Sequence, residues 1–132
     1  GRDPSSEGER LYAQARRYEL FGDRVTALEM YNSMIQVLGE GDEMRPYANL
    51  ARRQKAQIES DSGGNMDRVK IVTDALDRAD QEYQAGKVVE ANKTWNSIVS
   101  LYQDNRELRP LVKRAKARLS KKEESDDSSE EL

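Results

Sequence analysis

The sequence repeats itself. The stretch FGDRVTALEMYNSM at 21–34 is answered by AGKVVEANKTWNSI at 85–98, a displacement of 64 residues. The register holds without a gap from Ala15/Ala79 to Lys55/Leu119, and ten of those 41 pairs are identical: Ala15/Ala79, Gly22/Gly86, Val25/Val89, Ala27/Ala91, Asn32/Asn96, Ser33/Ser97, Glu43/Glu107, Arg45/Arg109, Pro46/Pro110 and Ala51/Ala115. Tyr31/Trp95, Met34/Ile98 and Met44/Leu108 are conservative exchanges besides. Random pairing gives roughly two or three identities at average residue frequencies. The chain is an internal duplication, and a fixed period is to be read before any other feature.

Each copy reads as three helices. In the first copy, 6–21 carries Leu11, Ala15 and Tyr18 on one face, with Ser5 or Ser6 available as cap. Gly22 ends it, because glycine tolerates the left-handed conformation at a helix C-terminus. The second helix, 23–38, has a stripe of Val25, Leu28, Tyr31, Ile35 and Leu38, widened by Ala27 and Met34. A stripe that wide predicts a helix sandwiched between two others. GEGDEMRP breaks the chain, and Pro46 belongs near a helix start, so the third helix begins within 42–45 and carries Tyr47, Leu50, Ala51 and Ile58. SDSGGN at 60–65 is a linker. The second copy follows with helices at 66–85, 87–103 and 105–120.

No segment alternates over a strand's length, and Pro is scarce, with three in 132 residues. Apolar and charged residues each make up 36% of the chain, and the mean hydropathy is −0.98. That is polar for a globular protein, but the regular apolar spacing argues against wholesale disorder. There is no Cys and no His. Disulfides, thiolate nucleophiles, the usual zinc ligands and the commonest general base are therefore excluded. No apolar run approaches the length that crosses a bilayer. The opening GRDPSSEGER has neither a Met nor a signal-like stretch, and reads as a tag remnant on an excised fragment. The closing KKEESDDSSEEL has six carboxylates in its last ten residues and no apolar period, which predicts a disordered acidic tail.

Gly22, Ala27 and Tyr31, echoed by Gly86, Ala91 and Trp95, resemble the loop and second helix of a tetratricopeptide repeat (TPR). In that family a Gly closes the first helix, an Ala follows five residues later, and an aromatic four after that. Ala15 and Ala79 match the family's small residue on the first helix. The logic is packing: small side chains let helices approach while the aromatic fills the gap beside them. Met34 and Ile98 stand where the family has an Ala, its closing Pro is absent, and the period is 64 residues instead of about 34. A three-helix unit of this kind also resembles the MIT domain, a trafficking module that binds peptide helices. A fainter similarity is to helical extensions of large bacterial signalling proteins.

The resemblance implies a concave groove lined by the first helix of each copy. It places Tyr12, Arg16 and Glu19 there in the first copy and Leu76, Asp80 and Tyr83 in the second. The Lys and Asn with which some TPR proteins clamp a C-terminal carboxylate are not at matching positions, so that ligand is not expected. Tyr31 and Trp95 read as core fillers in preference to an aromatic recognition pocket. A basic face on the last helix comprises Arg106, Arg109, Lys113, Arg114, Lys116 and Arg118. The formal charge of −3, the pI near 5.2 and the lack of interleaved aromatics disfavour nucleic acid there. Many carboxylates are present but no defined pair, and SGGN lacks the Lys and preceding strand of a phosphate loop.

The sequence therefore predicts an all-α, TPR-like right-handed array of two three-helix units with six antiparallel helices. The units are 1–60 and 67–120, joined by a linker at 61–66 and followed by the tail at 121–132. The expected function is a non-catalytic protein–protein interaction module, a monomer or part of a larger chain, with a peptide or domain as partner. No catalytic, cofactor or metal residues are assigned. A structural or regulatory appendage is the second reading, and anion binding through the basic helix the third.

Overall fold

The computed structural model describes the backbone of residues 4–38, 45–61 and 66–130, with side chains for 7–37, 45–61 and 66–121. Among these are six α-helices and no strand: α1 (Pro4–Phe21), α2 (Arg24–Leu38), α3 (Arg45–Ser60), α4 (Arg68–Gln84), α5 (Val88–Tyr102) and α6 (Arg109–Glu130). The chain is all-α and divides into two compact units, Gly1–Arg68 and Val69–Leu132. Residues 39–44 of the expected break and 62–65 of the expected linker lie outside the described residues.

The duplicated glycines act as the sequence predicts. Gly22 and Gly86 have φ of +109° and +87°, and no other residue described has positive φ. At the end of α1 the Asp23 amide donates to the Tyr18 carbonyl at 2.9 Å and the Gly22 amide to that of Glu19 at 3.1 Å. After α4, Lys87 donates to Glu82 at 2.8 Å and Gly86 to Tyr83 at 3.1 Å. Both ends are the same Schellman closure, which satisfies carbonyls that the helix leaves open. A Cβ at either glycine would meet nothing within 4 Å, so backbone conformation alone selects glycine.

The duplicated Arg-Pro pairs open α3 at Arg45 and α6 at Arg109. Proline is tolerated in a first turn because the amide it lacks has no intrahelical partner there. α1 begins at Pro4 for the same reason, so Ser5 and Ser6 fall inside the helix instead of capping it. α6 continues as helix to Glu130, past the expected end at Ser120 and through the segment expected to be unstructured. Its Lys and Glu residues are good helix formers, and propagating a nucleated helix needs no apolar face.

In the first unit α2 packs against both α1 and α3, and α1 meets α3. This is the sandwiched position that its wide stripe predicts. The core comprises Ala15, Ala27, Tyr31, Met34, Ala48, Ala51 and Ile58. Gly8 lets α1 pack close against Tyr47 of α3, since a Cβ there would lie 2.7 Å from the Tyr47 ring. In the second unit α5 packs on α6. Its buried residues include Ala79, Ala91, Trp95, Ile98, Val112 and Ala115, each displaced by 64 from a buried residue of the first unit. The duplication is therefore a duplication of the core.

Candidate partner-binding surfaces

The residues expected to line a groove meet different fates in the two units. In the first, Glu19 is drawn into a polar cluster. Tyr31 Oη donates to Glu19 Oε1 at 2.7 Å, Gln54 Nε2 donates to both carboxylate oxygens at 3.1 and 3.2 Å, and Arg16 Nη1 lies 3.0 Å from Oε1. Burial pushes the Glu19 carboxyl up, but the bonds from Tyr31, Gln54 and Arg16 outweigh it and its pKa lies below the ordinary value. Burial and the bond to Glu19 hold the Tyr31 phenol well above its ordinary range. Tyr12 packs on Tyr31 with ring centroids 6.0 Å apart. Glu19 thus ties α1 to α2 and α3, and Arg16 braces it from one turn away on the same helix.

The same four positions carry different chemistry in the second unit. Arg16, Glu19, Tyr31 and Gln54 are matched by Asp80, Tyr83, Trp95 and Arg118. Arg118 grips Asp80 through Nε to Oδ1 at 3.0 Å and Nη2 to Oδ2 at 3.1 Å. This is the forked geometry that makes arginine–carboxylate pairs specific. Arg114 Nη2 donates to Asp77 Oδ1 at 2.8 Å and to Asp80 Oδ2 at 3.1 Å. Burial raises the Asp80 pKa, and the two guanidiniums outweigh it to leave a net lowering. Tyr83 packs on Trp95 with centroids 5.6 Å apart. The Trp95 indole nitrogen and Asn92 Oδ1 are buried without a hydrogen-bond partner. Each unit thus joins its first and third helices through a carboxylate of the first, held by neutral Gln54 in one unit and by Arg114 and Arg118 in the other.

Leu76 has no accessible surface. It is a core residue, and a side chain with no accessible surface lines no open groove. Tyr31 and Trp95 are 0% and 2% exposed, which places both in the core. The basic face is split. Arg114 and Arg118 are committed to α4, whereas Arg106, Arg109, Lys113 and Lys116 are exposed.

Two clefts open on the first unit. One, of about 460 Å³, is lined by Glu19, Gly22, Arg24, Gln57, Ile58, Ser60 and Asp61. The Arg24 guanidinium donates across it to the Ile58 and Asp61 carbonyls, closing the end of α3 with a cation. The other, of about 330 Å³, is lined by Leu11 of α1 and by Glu29, Met30, Ser33, Met34 and Val37 of α2. Its walls are mostly apolar, and Val37 is 76% exposed. Met34, which widens the core stripe, is continued on this side by Met30 and Val37 at helical spacing. Asp23, just after Gly22, carries a further role. It is fully buried and accepts from the Thr26 amide at 3.0 Å, capping α2.

Among the described residues no cluster of three or more potential ligands is placed to hold a metal ion. No described helix is long and apolar enough to cross a membrane. Comparison with known proteins finds no matching family model, no matching curated protein and no matching solved structure.

Proposed function

We propose that this chain is a non-catalytic protein–protein interaction module of TPR-like type. It takes the apolar face of a short peptide helix into the cleft between α1 and α2. The observation that carries this reading is the cleft itself. It has apolar walls of Leu11, Met30, Met34 and Val37, and a volume at the low end of what ligand clefts occupy. A peptide helix would anchor there with side chains at i, i+3 or i+4, and i+7. The resemblances to TPR and MIT units point to the same class of ligand. The groove moves accordingly, from Tyr12, Arg16 and Glu19 to the neighbouring flank of α1.

The second reading, an appendage with no ligand of its own, draws support from the internal bonding of Arg16, Glu19 and Asp80. Peptide display against the wild-type chain, with counter-selection against Val37→Lys, separates the two. A charge at this exposed rim position spares the core and penalises any apolar occupant. The interaction reading expects helical peptides with spaced apolar anchors that bind about tenfold more weakly to Val37→Lys. Selected peptides indifferent to that change, or none at all, would favour the appendage.

A further inference from the structure

Charge is unevenly shared among the helices. From Arg45 to Ile58 α3 carries four cations, and from Arg109 to Ser120 α6 carries five, with no acidic residue on either stretch. Each of the other four helices mixes acids with bases. Some of these cations are already committed. Arg114 and Arg118 are held by Asp77 and Asp80 of α4, and Lys55 is partly buried. What remains is Arg45, Arg52 and Arg53 on α3 and Arg109, Lys113 and Lys116 on α6, all exposed. Arg53, Arg109, Lys113 and Lys116 have no acidic partner among the described residues. Arg52 Nη1 donates to Asn49 Oδ1 at 2.8 Å, a neutral partner that leaves its charge uncompensated.

The face is repeated. Arg45 and Arg52 are displaced by 64 from Arg109 and Lys116, so both copies keep a cation at two exposed positions. Burial explains why the copies share a core, but it places no demand on an exposed charge. On α6, steps of four and three put Arg109, Lys113 and Lys116 on one side of the helix, over ~10.5 Å of rise. That side is distinct from the one through which Val112 and Ala115 enter the core. On α3, Arg53 widens the matching row.

We propose that the outer face of the third helix in each unit is a docking surface for a short acidic segment of a partner protein. The side chains of the face select this occupant. It has no aromatic on which a base could stack, and the large exposed hydrophobics among the described residues all lie outside α3 and α6. Nothing on it would therefore enter a bilayer. The chain as a whole carries a charge of −3, so an extended polyanion meets repulsion from the rest of the surface. A short acidic segment meets the cationic row alone. Carboxylates three and four residues apart on a partner helix match the spacing of the row. Such contacts are exposed, so the association is weak and screened by salt. The surface is built from other elements than the cleft of α1 and α2, and takes a ligand of opposite character.

Fluorescence anisotropy of a labelled oligo-glutamate with the full chain tests this. The probe has no apolar side chain, so it does not report on the cleft of α1 and α2. The expected result is saturable binding at about 20 mM NaCl that weakens about tenfold by about 300 mM. Lys113→Gln/Lys116→Gln and Arg52→Gln/Arg53→Gln should each weaken it about fivefold, with helix content unchanged by circular dichroism. Lys87→Gln/Lys93→Gln removes the same charge from exposed positions elsewhere and should change affinity by less than about twofold. Absence of binding at low salt overturns the proposal. So does an equal loss in the Lys87/Lys93 variant, or unchanged affinity in either the α3 or the α6 variant. Tighter binding to a duplex oligonucleotide or to phosphatidylserine vesicles than to the oligo-glutamate also overturns it, because the occupant is then an extended polyanion.

Discussion

Tyr31 and Trp95 occupy one position in two copies, and they show what duplication preserves and what it releases. The preserved property is bulk: both rings are buried beside Ala27 and Ala91, the small residues that let the helices close on them. The released property is polarity. The Tyr31 hydroxyl has Glu19 as acceptor, whereas Tyr83 replaces that carboxylate in the second copy and the Trp95 N–H is left without one. Tyr31→Ala and Trp95→Ala should each cost about 3–5 kcal/mol in chemical denaturation, the usual penalty for deleting a buried aromatic. Tyr31→Phe should cost about 1 kcal/mol, because the acceptor it abandons keeps Gln54 and Arg16. A Trp95→Ala cost below roughly 1 kcal/mol would place that ring at the surface and reopen it as a binding residue.

At the level of elements, the two middle helices start differently despite their shared core. Asp23 caps α2 through the Thr26 amide and also accepts from the Thr26 hydroxyl at 2.6 Å. Arg68, within the same unit, donates to that hydroxyl at 2.8 Å and to Glu29 at 2.5 Å. The matching residue before α5 is Lys87, whose side chain makes no capping bond. A cation at a helix N-terminus is also unfavourable against the helix dipole. Lys87→Asp should therefore stabilise the chain by about 0.5–1 kcal/mol, and Asp23→Ala should destabilise it by about 1–2 kcal/mol. Urea midpoints at constant slope would read both changes. If Lys87→Asp shifts nothing, the start of α5 is already satisfied by solvent.

Across the whole molecule, each unit carries, among the described residues, one carboxylate held below its ordinary pKa, from 4.5 for Glu19 and 3.8 for Asp80. The unfolded chain binds more protons than the folded one in that range, so stability rises with pH there. The contribution is complete above the unfolded values and is lost as pH falls through the folded ones. Urea midpoints should accordingly be flat from neutrality to about pH 5 and fall below it. Glu19→Gln and Asp80→Asn should each lower the neutral-pH midpoint and flatten the acid slope. An unchanged slope in the double variant would show that other carboxylates govern acid unfolding.

By itself the sequence determined the parts of this protein that repeat. The 64-residue period, the Gly and Arg-Pro punctuation and the apolar spacing specify helices, their closures and most of the core, because these depend on local backbone preference and burial at a fixed period. The tertiary structure alone decided which polar residues are committed inside the fold. Glu19 and Asp80 read as groove residues and bond across to neighbouring helices, while Leu76 is fully buried. Their partners Gln54, Arg114 and Arg118 lie 34 to 38 residues away, a separation without local periodicity. The Met30–Val37 flank is illegible in the sequence for a related reason. On an amphipathic helix a second apolar row reads as a widening of the first, and only the placement of α1 leaves it as a cleft.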